Sequence, residues 1–99
     1  MEDFTREWKF NVFVEENPKE VAKILKRKLE RQFEDCWVDI NPVFDWYEIN
    51  IVCVKPSKDI ERIEPDILED AIKSLADDIE ERLSKTREKR IEEIKKLFL

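Results

Sequence analysis

Cys36-Trp37-Val38-Asp39-Ile40-Asn41-Pro42 and Trp46-Tyr47-Glu48-Ile49-Asn50-Ile51-Val52-Cys53-Val54 are two alternating runs separated by Val43, Phe44 and Asp45. In the first, Cys36, Val38 and Ile40 share one face. In the second, Tyr47, Ile49, Ile51 and Cys53 share one face. Period-two alternation of this kind marks half-buried strands, so residues 36–42 and 46–54 read as a hairpin. A two-residue loop at Val43-Phe44 would set Asp39 opposite Glu48, and opposed like charges destabilise a strand pair. Shifting the register by two residues pairs Cys36 with Cys53, Val38 with Ile51, Ile40 with Ile49 and Asp39 with Asn50. That register, with a four-residue loop from Val43 to Trp46, is the expected one.

Residues 7–14 alternate in the same way. Trp8, Phe10, Val12 and Val14 face one side, and Lys9, Asn11 and Phe13 the other. Asn17-Pro18-Lys19-Glu20 then has the pattern of a helix start: Asn17 as cap, Pro18 at the first helical position and Glu20 completing a capping box. Val21, Ile24, Leu25, Leu29 and Phe33 recur at helical spacing, which predicts a helix over 18–34. After Lys55-Pro56-Ser57 the period becomes helical again. Glu64-Pro65-Asp66 opens a helix with apolar positions at Ile67, Leu68, Ala71, Ile72, Leu75, Ala76, Ile79 and Leu83. The seam runs on through Arg87, Ile91, Ile94 and Phe98.

The expected architecture is α+β in the order β-α-β-β-α: a three-stranded antiparallel sheet of order 1-3-2 with two helices on one face, in a single domain over 1–99. It corresponds to a ferredoxin-like fold without its final strand, leaving the edge of the first strand available. A helix over 65–98 would be roughly 50 Å long. Eight-residue strands span only about 25 Å. The last turns must therefore overhang, bend back near Ser84, or pack on another chain. Leu83, Ile91, Ile94, Leu97 and Phe98 are the expected homodimer interface, and Leu97-Phe98-Leu99 gives the sequence an apolar end where a frayed polar one is usual.

The 99 residues include no glycine and no histidine. Phosphate-cradling glycine loops are thereby excluded, and the commonest general base and metal ligand are missing. No catalytic residue, metal ligand or cofactor site is expected, and the protein is read as a non-enzyme. Asp39, Asp45 and Glu48 neighbour aromatics, but nothing separates them from solubilising carboxylates. Cys36 and Cys53 lack the spacing of a redox or zinc motif. Buried free thiols are the expected state, with a cross-strand disulfide as the alternative. Charged residues make up 44% of the chain, for a net charge of −6, and no apolar run could cross a bilayer. A soluble, intracellular, hyperthermostable protein is expected, because Lys/Glu enrichment with few thermolabile residues is the hyperthermophile pattern.

The basic residues of 18–34 (Lys19, Lys23, Lys26, Arg27, Lys28, Arg31) are expected to meet the carboxylates of the long helix in an ion-pair network. The C-terminal cations, interleaved with Glu88, Glu92 and Glu93, read as a solvated face. Phe13, Trp37, Trp46 and Val52 fall on the outward sheet face. They suggest a surface covered by a partner or by the returning helix rather than a stacking platform for nucleic acid, since the glycine-bearing RNA-recognition motifs are missing.

With its aromatic hairpin over 36–49 and its long Lys/Glu/Ile helix, the chain resembles small proteins of the filamentous and rod-shaped viruses of hyperthermophilic archaea, the lipothrixvirus and rudivirus groups. The resemblance implies a viral protein in the cytoplasm of the infected host cell, tolerant of heat and acid. Some proteins of these viruses bind effectors of host CRISPR defence, so a host or viral protein is the partner class it implies. The expected function is thus a non-catalytic, self-associating interaction protein. The alternative is a nucleic-acid-associated viral regulator using the basic helix 18–34 or the C-terminal basic patch.

Overall fold

A computed structural model describes residues 6–99. Strand β1 (Glu7–Val14) is followed by helix α1 (Pro18–Leu29), strands β2 (Phe33–Val43) and β3 (Trp46–Pro56), a single-turn helix α2 (Lys58–Glu61) and helix α3 (Pro65–Lys96). The sheet is antiparallel throughout, in the order β1-β3-β2. β3, the strand with the smallest share of charged residues, lies in the middle. Pro42, which cannot donate to a ladder, sits on the edge strand β2.

The hairpin register is the one that separates Asp39 from Glu48: Cys36 pairs with Cys53, Val38 with Ile51, Ile40 with Ile49 and Asp39 with Asn50. Pairing continues one step further than expected, to Val43 opposite Trp46, so the loop holds only Phe44 and Asp45. A loop this short needs positive φ, and Phe44 supplies it at φ 55° without glycine. Lys55 is also left-handed, at φ 56°, and there the alternation slips. Phe33 and Cys36, three residues apart, are both buried.

α1 ends at Leu29, five residues short of the expectation. Phe33 satisfies the helical seam but is out of step with the alternation of Cys36, Val38 and Ile40, and only the slip beside Lys55 turns it inward. It is used in β2, where its ring packs 5.9 Å from Trp8 and 6.2 Å from Phe10. The capping box does not form either. Asn17 is left-handed and makes no side-chain cap bond; its carbonyl accepts the Val21 N–H at 3.0 Å instead. The turn α2, unforeseen in the sequence, is capped by Ser57, whose hydroxyl accepts the Ile60 N–H.

The core lies between one sheet face and the helices. Phe10, Val12, Val14, Ile49, Ile51 and Cys53 from the sheet meet Val21, Leu25 and Leu29 of α1 and Leu68, Ile72, Ala76 and Ile79 of α3. Among the described residues no polar or charged side chain is buried. Cys36 and Cys53, directly opposed with Cα atoms 4.1 Å apart, are joined in a disulfide rather than left as free thiols.

The network expected between α1 and α3 is not formed. Among the described residues the ion pairs are Lys9–Glu7, Lys55–Glu34, Lys73–Glu69, Lys85–Glu81 and Lys95–Glu92, all exposed, and none joins the two helices. At their junction Ile24 and Leu83 pack against the core, while Glu20, Lys23 and Arg27 around them are exposed. Exposed pairs of this kind contribute about 1 kcal/mol at most.

α3 is continuous through Ser84, without a break. Its last core contact is Leu83, and every residue from 87 to 99 is exposed. The molecule is 69 Å long but only 29 × 21 Å across, with a radius of gyration of 16.7 Å. A compact chain of this length would have about 13 Å. No helix in the described residues is long and apolar enough to cross a membrane.

Candidate functional site

Both long helices cover one face of the sheet, and among the described residues no element covers the other, which is called the bare face below. Alternation places its residues. Val12 and Val14 point inward, which turns Phe13 outward. Ile49, Ile51 and Cys53 point inward, which turns Trp46, Glu48, Asn50 and Val52 outward; Cys36 inward turns Trp37 outward. Phe13 and Trp46 are each 46% exposed and Trp37 is 57% exposed, with Val52 half-buried between Lys9 and Trp37. All four residues expected on a partner face therefore share one surface.

A polar band divides that surface. Asn11, Asn50 and Asp39 align across the three strands, and Phe13, Glu48 and Asn41 form the next row. Asn11 Nδ2 donates to Asn50 Oδ1 at 2.6 Å, and Asn50 Nδ2 donates to Glu48 Oε1 at 2.7 Å. On the neighbouring strand Asn41 Nδ2 donates to Asp39 Oδ2 at 3.0 Å. The Asn50 amide, and after it Asn11, holds the Glu48 carboxyl below its ordinary 4.5; desolvation opposes them, and Asn41 adds a lesser lowering. Hydrogen bonds to the charged form stabilise it. Glu48 is thus a fixed anion at neutral pH, the opposite of a carboxyl tuned for proton transfer. Trp37 and Val52 lie to one side of this band, Phe13 and Trp46 to the other.

The hairpin tip adds residues that the sequence did not single out. Val43 and Tyr47 are exposed and Phe44 is fully so. Tyr47 has the inward alternation of Ile49 but lies beyond the cover of the helices. No signal marked Phe44, since the expected loop ran over four residues, Val43 to Trp46.

The overhang of α3 is the second surface. Ile91, Ile94, Leu97 and Phe98 are all exposed, Phe98 to 84%. Leu83 instead packs on the chain's own core and anchors the root of the overhang. Six cations (Lys85, Arg87, Lys89, Arg90, Lys95, Lys96) accompany three carboxylates in this segment. The first part of α3 has the reverse balance, with Asp66, Glu69, Asp70, Asp77, Asp78, Glu80 and Glu81 against Lys73 and Arg82.

Among the described residues, no group of three or more His, Cys, Asp or Glu is placed to hold a metal ion. A shallow depression of about 230 Å³ lies between β1 and α3, lined by Asn11, Phe13, Lys73 and Asp77. The fold and surfaces define a small antiparallel α+β domain with one bare sheet face and one projecting amphipathic helix. Comparison with family models, curated proteins and solved structures finds no match for this chain.

Proposed function

We propose that this protein is a non-catalytic interaction protein that self-associates, as a homodimer, through the overhang of α3. The observation that carries the reading is the continuation of α3 beyond Leu83 with Ile91, Ile94 and Phe98 along its apolar stripe, left exposed by every other described residue. Burying a side chain of this size contributes about 1.5–3 kcal/mol. Three such residues on each of two chains can offset the entropy of association. A two-fold pair is the commonest arrangement that covers both copies at once. A further partner, a host or viral protein, rests on the sequence resemblance alone. The test is light scattering on the intact chain and on the Ile91→Glu/Ile94→Glu variant. The intact chain should give a dimer and the variant a monomer with unchanged helix content. A variant as dimeric as the parent would refute the reading.

A second reading, association with nucleic acid, has one observation in its favour. Lys19, Lys23, Lys26, Arg27, Lys28 and Arg31 in and after α1 make no ion pair among the described residues. The bare sheet face does not share in it, because Glu48 and Asp39 repel phosphate. Binding to duplex DNA that falls steeply with salt, as released counterions require, would support this reading. No binding at low salt would remove it.

A further inference from the structure

Self-association through α3 requires a surface for each overhang to pack against. We propose that the bare sheet face of each chain seats the α3 overhang of a second copy, in a reciprocal exchange. This inference rests on self-association through α3 and adds the receiving surface.

Three features of the molecule converge on it. The first is length. The apolar stripe of the overhang, from Arg87 to Phe98, is about 17 Å long. The aromatic part of the bare face runs along β3 from Trp46 to Val52, about 20 Å. The second is chemistry. Ile91, Ile94 and Phe98 need an apolar surface, and the face offers Phe13, Trp37, Trp46 and Val52 in two clusters on either side of the amide band. The third is charge. The outward face carries Glu7, Asp35, Asp39 and Glu48 against Lys9 alone, whereas cations outnumber carboxylates on the overhang by two to one. Two overhangs packed on one another would instead oppose like charges, which is unfavourable on an interface rim.

The topology permits the exchange. α3 runs along the chain's own sheet in the direction of β1: the Glu15 N–H at the end of β1 donates to Glu80 Oε2 at 2.9 Å, and Ser84 donates to Glu16. The overhang therefore leaves the domain at the end where the hairpin tip lies. A two-fold axis in the plane of the sheet, just beyond that tip, sets the two sheets end to end and puts their helices on opposite sides. Each overhang then runs onto the other chain's bare face. The same chain cannot fill its own seat, because α3 is unbroken and lies on the opposite side of its sheet.

Sedimentation equilibrium on complementary variants tests the seat. Trp37→Lys damages the receiving face, Phe98→Asp damages the overhang, and both sites are exposed, so far-UV circular dichroism should match the parent. Each is expected to weaken dimerisation by about 100-fold or more, since apolar burial is lost at both symmetric seats. Asp39→Lys, which reverses a charge on the face without touching an aromatic, should weaken it in the same direction. An equimolar mixture of the Trp37→Lys and Phe98→Asp chains retains one intact overhang and one intact face. It should recover dimer that neither variant forms alone. A Trp37→Lys chain as dimeric as the parent, with Phe98→Asp monomeric, would overturn the sheet-face seat and leave self-association through α3 standing. Failure of the mixture to dimerise would likewise overturn the seat. A parent chain monomeric at all concentrations would overturn both readings.

Discussion

The disulfide between Cys36 and Cys53 ties the hairpin together at its base, and its removal should be strongly felt. The two residues are 17 apart in sequence. Closing a loop of that size in the unfolded chain lowers its conformational entropy by an amount equivalent to about 3 kcal/mol at 25 °C. For a chain near 100 residues, each kcal/mol moves the melting temperature by about 4–8 °C, so reduction should lower it by about 12–24 °C. The measurement is thermal unfolding by circular dichroism, with and without a phosphine reductant, on the parent and on Cys36→Ala/Cys53→Ala. The double variant should melt with the reduced parent and be insensitive to reductant. Both sulfurs lie in the core, so the alanine pair should also show a modest loss of packing. A shift below about 3 °C would show that the bond does not constrain the unfolded chain in this way. Two titratable thiols in the native, unreduced protein would refute the bond itself.

Other perturbations probe single features. Phe44 stands at φ 55° in full exposure, so Phe44→Gly should relieve left-handed strain and raise stability by a net of about 0.5–1 kcal/mol in guanidinium unfolding; a loss would refute the strain. Asn50→Leu removes the main donor to Glu48, and carbon-detected NMR should show the carboxyl titrating closer to 4.5. In the parent, the depressed value of Glu48 contributes stability that is present above 4.5 and lost as pH falls through the lower folded value. An unmoved titration in the variant would mean that the amide band does not hold the charge. Leu25 is completely buried between α1 and the sheet, and Leu25→Ala should cost about 2–5 kcal/mol by chemical denaturation.

Strand faces were legible because alternation in three separate runs is hard to satisfy by any other structure. The register was legible because only one pairing both aligned the apolar residues and kept Asp39 from Glu48. The turn was not, since nothing in Val43-Phe44-Asp45-Trp46 announces that a phenylalanine will accept left-handed backbone. The end of α1 was ambiguous for a physical reason. Phe33 fits a helix one turn after Leu29 and a strand before Cys36, and only its packing on Trp8 and Phe10 decides between them. The ion-pair network failed because complementary charge along two elements does not say where long side chains turn once Ile24 and Leu83 have packed against the core between them. Membership of the bare face could be read from alternation, but the Asn11–Asn50–Glu48 chain of hydrogen bonds required both the register and the side-chain conformations. Comparing the length of a helix over 65–98 with that of eight-residue strands left three outcomes for the last turns: an overhang, a bend near Ser84 or packing on another chain. The helix running unbroken through Ser84 removes the bend.

The central claim is that the α3 overhang is covered by a second copy of this chain. Sedimentation equilibrium of the unmodified protein, from low micromolar to hundreds of micromolar, tests it most directly. The account predicts a reversible equilibrium reaching twice the 12.1 kDa chain mass. A single 12.1 kDa species over the whole range would contradict it.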